Sequence, residues 1–120
     1  MSAHSEFLAL LSGIANVHDG DVPDTPLLPY VLVMGSAQSP SKRALSRDVH
    51  GRVERWRTTV VGANQTSAHI ICRKVIAALE GARVAGQRVE AVPNVQHIMQ
   101  DLDVSPPVSY AVLDWRVTLP

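Results

Sequence analysis

From Asn64 to Gly81 the chain reads NQTSAHIICRKVIAALEG, and its apolar residues fall at a helical period. Ala68, Ile71, Cys72, Val75, Ile76 and Leu79 follow i, i+3, i+4, i+7 spacing, which gathers them on one stripe. Asn64 or Thr66 supplies the N-cap, and Gly81 falls where a helix takes a left-handed glycine. The spacing predicts a helix over 65–80 with Arg73 and Lys74 on its wet side. A helix of about 15 residues is marginal alone in water, so the stripe needs a second layer to cover it. That requirement constrains the fold more than any other feature of the chain, because the remaining segments read mostly as strands.

Residues 4–12 predict a short helix capped by Ser5 and ended by Gly13. Residues 14–18 predict a strand running into the turn Asp19-Gly20. The run 27–35, LLPYVLVMG, is continuously apolar and predicts a strand buried on both faces. Residues 53–61 alternate, with Trp56, Thr58 and Val60 on the core side and Arg55, Arg57 and Thr59 opposite. RVAGQRVEAV predicts two short strands about Ala85-Gly86, and HIMQDLDV a further strand or irregular edge. After Pro106-Pro107, residues 108–119 alternate again, with Ala111, Leu113, Trp115, Val117 and Leu119 on one side. The order is α-β-β-β-α-β-β-β. It predicts one α+β domain over 1–120, a single antiparallel or mixed sheet with two helices packed on it. Its core is Ile71, Val75 and Leu79 against Val33, Trp56, Val60, Leu113 and Trp115.

An apolar fraction of 46% and a charged fraction of 18% suit a globular chain of 120 residues. The single cysteine, Cys72, excludes an internal disulfide or a CxxC metal pair and reads as a small buried hydrophobe. His4, His18, His50, His69 and His97 show none of the spacings of metal ligands. Asp19, Asp21 and Asp24 read as turn residues, without the glycine and glutamate of a calcium loop. No glycine-rich phosphate loop and no nucleophile motif is present. The expectation is a protein that is not an enzyme, with no catalytic, metal-binding or cofactor-binding residue. The apolar run Phe7 to Leu11 is too short for a signal or a membrane span, so the chain is expected to be made in a cytoplasm with no membrane partner.

Charge is uneven. PSKRALSRDVHGRVERWR, Pro40 to Arg57, holds Lys42, Arg43, Arg47, Arg52, Arg55 and Arg57 against Asp48 and Glu54, a local +4 in a chain of zero net charge. The rest therefore sums to −4. Residues 36–52 predict a long loop, and loops beyond about 12 to 15 residues are uncommon in compact domains unless functional or disordered. The segment reads as a solvated surface, a phosphate-binding strip, or a surface pairing with acidic groups of another subunit. Glu90, Asp101 and Asp103 are the acidic partner candidates for the last reading. Separated charge suits head-to-tail self-association.

The succession VHDGDVP, PYVLV, a long polar loop, RWRTTVVG, TSAHIICRKVIAALEG and GQRVEAV resembles the tail terminator (tail completion) proteins of long-tailed phages, in particular those of actinobacterial phages. The resemblance spans about Phe7 to Val92 and rests on order and spacing. It implies a structural protein of the virion neck, assembled in the host cytoplasm. Such a protein forms a homo-hexameric ring on the head-proximal end of the tail tube, stops tube polymerisation and offers the head-joining surface. Its implied partners are itself, the tail tube protein, the head–tail connector proteins and DNA passing through the ring. The implied place of the 36–52 loop is at contacts with neighbouring subunits. A head-side connector of the same assembly, and a small α+β enzyme or ligand-binding domain, are the alternative readings.

Overall fold

The computed structural model describes residues 3–35, 39–40, 52–93 and 97–119, with residues 39, 40 and 52 described as backbone alone. Two long strands form the centre of the sheet. β4 (Arg52–Gly62) and β9 (Val108–Leu119) pair antiparallel from Arg52 opposite Leu119 to Gly62 opposite Ser109. Alternation in both strands puts Trp56, Thr58 and Val60 beside Trp115, Leu113 and Ala111 on one face, with the two tryptophans directly opposite each other. β2 (Tyr30–Gly35) runs antiparallel along the other edge of β4, and β1 (Asn16–Asp19) runs parallel to β2, so the sheet is mixed. β3 (Ser39–Pro40) prolongs the β2 side of β4. The free edge of β9 takes β7 (Glu90–Ala91) near one end and β8 (Met99–Asp101) near the other. β5 (Arg83–Val84) and β6 (Gln87–Arg88) form a separate hairpin.

Both helices cover the tryptophan face. α2 (Gln65–Leu79) starts where predicted: the Asn64 side chain accepts the Ser67 N–H at 2.8 Å. It ends at Leu79, and two residues on stands Gly81, whose φ of +78° is open to glycine at no steric cost. Ala68, Ile71, Cys72, Val75 and Leu79 are buried on the sheet. Ile76, expected among them, is 37% exposed. It lies about 100° round the helix from Val75, at the margin of the stripe. α1 (Ala3–Leu10) inserts Phe7, whose ring stacks on Trp56 at 4.4 Å between centroids.

The α+β class, the two helices and the long strands over 53–61 and 108–119 are as predicted, and the remaining strands run from two to six residues. The 27–35 strand is a correction. It begins at Tyr30, and only Val31 and Val33 are buried, whereas Leu32 is half-buried and Met34 is 44% exposed. Two-sided burial needs a layer on each face, and among the described residues neither helix lies on the second face. That second face is called the outer face below.

Within the core, Thr58 is fully buried and occupied on both sides. Its hydroxyl donates to the Leu113 carbonyl at 3.0 Å and accepts the Trp115 indole N–H at 3.0 Å. Thr58→Val keeps the shape and removes the acceptor, leaving the indole N–H unpaired in a dry core. The expected loss is about 1 to 3 kcal/mol, read as a lower denaturant midpoint at unchanged slope. Thr58→Ser, which keeps the hydroxyl, is expected to fall between the two.

Candidate subunit-contact surfaces

The outer face carries charge at both ends, and the strand register decides the sign. At one end Met34, Arg57 and Asp114 stand in a row across β2, β4 and β9, and the next outer row is Arg55, Arg116 and Glu90. Arg57 Nε donates to Asp114 Oδ1 at 2.9 Å, and that carboxylate raises the arginine pKa further. Arg116 Nε donates to Glu90 Oε2 at 3.3 Å. Arg55 and Arg116 are directly opposite each other. Like charges so placed repel, and Glu90 offsets the repulsion from the Arg116 side. These are surface pairs, of small worth to stability.

At the other end Tyr30, Val61, Tyr110 and Met99 stand in a row. Two loops, 20–29 and 102–107, rise beside it. Between them and the sheet lies a groove of about 500 Å³, walled by Tyr30 and Tyr110 and bordered by Asp24, Leu28, Asp101 and Val104. Burial, and then the charge of Asp101, push the Tyr30 phenol up. Asp101 Oδ1 accepts the Asp103 N–H at 3.1 Å, which turns the chain after β8 and leaves Asp103 exposed. The outer face is thus cationic at one end and acidic at the other.

The structure distributes the sequence candidates accordingly. Arg55 and Arg57 lie together on the cationic end. Glu90, one of the acidic partner candidates, sits at that same end and is bonded within its own chain. Asp101 and Asp103 occupy the opposite end. Lys42, Arg43 and Arg47, the Arg52 side chain and most of the 36–52 loop lie outside the described residues, although Ser39–Pro40 pairs as a strand with Val53 and Arg52. The sequence hides the apolar character of the acidic end, because the continuous run LLPYVLVMG predicts a buried strand that includes Leu27 and Leu28. Pro26 and Pro29, which bracket that pair, were the signal that it lies in a loop.

Among the described residues there is no group of three or more His, Cys, Asp or Glu that could hold a metal ion. Burial pushes the Cys72 thiol up, away from the reactive thiolate. No helix among the described residues is long and apolar enough to cross a membrane.

Two solved structures overlay nearly the whole chain. A chain from the virion of a native gene transfer agent particle aligns at a TM-score of 0.56 and 18% identity, covering 98% of this chain and 91% of its own. The bacteriophage SPP1 gp17 protein aligns at a TM-score of 0.59 and 19% identity, covering 98% and 88%. This chain has their fold. No family model and no curated protein matches the sequence. At such identities the likeness is one of architecture, and it extends from end to end, so neither neighbour has a large domain that this chain lacks.

Proposed function

We propose that this protein is a structural component of a phage-type particle, a tail terminator of the actinobacterial-phage type. On this reading copies form a six-membered ring at the head-proximal end of the tail tube, in the neck of the virion, after assembly in the host cytoplasm. The ring ends tube polymerisation and presents the head-joining surface, and the chain performs no catalysis. The observation that carries the reading is the end-to-end likeness in fold to a gene transfer agent virion chain and to a phage protein. The resemblance in segment order from VHDGDVP to GQRVEAV agrees with it. The outer face, cationic at one end and acidic at the other, suits a contact in which one surface of a copy meets a different surface of the next.

Purified protein mixed with tail tubes is the test, imaged in negative stain and sized by light scattering. Six-fold particles, or caps that fix tube length, are the expected result. In their absence tubes of uncontrolled length, or unjoined heads and tails, are expected. A chain that stays monomeric at high concentration and leaves tubes uncapped overturns the reading, and density on heads instead of tubes makes it a head-side connector. The basic segment, with Arg55 and Arg57 at its described end and Lys42, Arg43, Arg47 and Arg52 before them, is turned in this reading toward a neighbour or toward DNA in the ring. Duplex binding that falls steeply with salt, and weakens with each arginine removed, selects DNA.

A further inference from the structure

Two exposed surfaces of the chain have no partner among the described residues, and their chemistry is complementary. The first is the acidic end of the outer face. Leu28 and Val104, which line its groove from the two loops, are 37% and 45% exposed, and Leu27 and Leu102 in the same loops are 74% and 71% exposed. Single exposed leucines are ordinary, but apolar side chains from two loops gathered on one charged rim mark a contact surface. The stretches that build this end, Gly20 to Pro29 and Met99 to Pro107, contain Asp21, Asp24, Asp101 and Asp103 and no Lys or Arg.

The second surface is the solvent side of α2. Ile70, Arg73, Lys74 and Ala77 recur at i, i+3, i+4 and i+7, so they form one stripe. Ile70 is 49% exposed, and Ile76 beside the stripe is 37% exposed. Arg73 and Lys74 make no ion pair with a described residue, in contrast to Arg57 and Arg116. From Gln65 to Leu79 the helix has no acidic residue.

We propose that the acidic loop end of one copy docks on the α2 stripe of a second copy. Arg73 enters the tyrosine-walled groove, where a guanidinium can stack on an aromatic face and bond carboxylates at once. Lys74 meets the aspartates of the rim, and Leu27 and Leu102 cover Ile70 and Ile76. A second copy is the fitting partner because one neutral chain carries both halves, apolar against apolar and acid against base. The helix lies on one face of the sheet and the groove on the other. The contact is therefore heterologous and passes from copy to copy, and it rests on the ring reading only for its closure.

The test is a charge swap followed by sedimentation and light scattering, with and without tail tubes. One variant is Arg73→Glu with Lys74→Glu, and the other is Asp101→Lys with Asp103→Lys. Circular dichroism and melting establish that each is folded. Each alone is expected to assemble about tenfold or more weaker than wild type. Mixed, they are expected to assemble in equal numbers, because every junction then joins opposite signs. Leu102→Asp, which leaves the Asp101 turn in place, is expected to weaken assembly and not to be rescued by either partner. If the single variants assemble as wild type does, or the mixture assembles no better than its parts, this contact is overturned while the ring reading stands. A wild-type chain that neither self-associates nor caps tubes overturns the ring reading and this contact together.

Discussion

Trp56→Ala is expected to destabilise the protein by about 3 to 5 kcal/mol, a large fraction of the roughly 5 to 15 kcal/mol that holds a domain of this size. Trp56 is 2% exposed and stands directly opposite Trp115 at the centre of the sheet. It also fastens α1. Phe7 stacks on its ring, and its indole N–H donates to His4 Nδ1 at 3.1 Å. His4 Nε2 in turn lies 2.8 Å from Asp19 Oδ1. With Nδ1 accepting, the ring proton sits on Nε2 and points at the carboxylate. Truncation to alanine thus removes a core side chain, opens a cavity and frees the first helix in one step. Trp56→Phe separates these effects: an aromatic ring remains for Phe7, and His4, one-third exposed, can take water in place of the indole. That variant is expected to lose far less. Thermal melting decides the point, and hydrogen exchange at the α1 amides reports the second effect. An unchanged midpoint for Trp56→Ala would show that this face does not form the core.

The central layer was legible because its signals are local. Alternation over 53–61 and 108–119 pointed Trp56, Thr58, Val60 and Trp115 inward, and the helix stripe pointed at them. The cap at Asn64 and the turn at Ala85-Gly86 are equally local, each written in one or two residues. Other features depended on what lies across space. An apolar run such as LLPYVLVMG states that a strand is sticky, not how many layers will cover it, and here Met34 remained outside. The parallel pairing of β1 with β2 has no counterpart in sequence alternation. Nor does any spacing announce that residues near 24 and near 102, some 80 positions apart, build two sides of one groove. In sequence the acidic end is therefore split, with Asp21 and Asp24 read as turn residues and Asp101 and Asp103 as separate acidic partner candidates. The basic segment was legible as charge, and the strand register shows that Arg55 and Arg57 share the outer face.

Gly62→Ala is expected to destabilise the protein, because among the described glycines this is the one whose added methyl would meet backbone closer than 3.0 Å. Gly62 ends β4, opposite Ser109, and three residues later α2 begins. A Cβ built on Gly62 would lie 2.6 Å from the Ala68 backbone nitrogen and 3.1 Å from its Cα. Those atoms belong to the first turns of α2 and cannot swing aside as a side chain can. The Ala68 N–H is already committed to the Asn64 carbonyl at 3.1 Å, and the Ala68 side chain is fully buried. Relief requires the helix start to lift from the sheet, which strains the cap and parts the Ala68 contact. The expected loss is about 1 to 3 kcal/mol for alanine, and more for valine, whose branches meet the same backbone. Gly35→Ala is the matched control, because a Cβ there meets the His4 ring at 3.4 Å, close to ordinary contact distance, and its melting midpoint is expected to stay near wild type. Equal midpoints for Gly62→Ala and the control would show that α2 has room to move. The two variants also differ in a second readout. A lifted helix start displaces the stripe of Ile70, Arg73 and Lys74 relative to the outer loops, so Gly62→Ala should impair assembly even below its melting temperature, and Gly35→Ala should not.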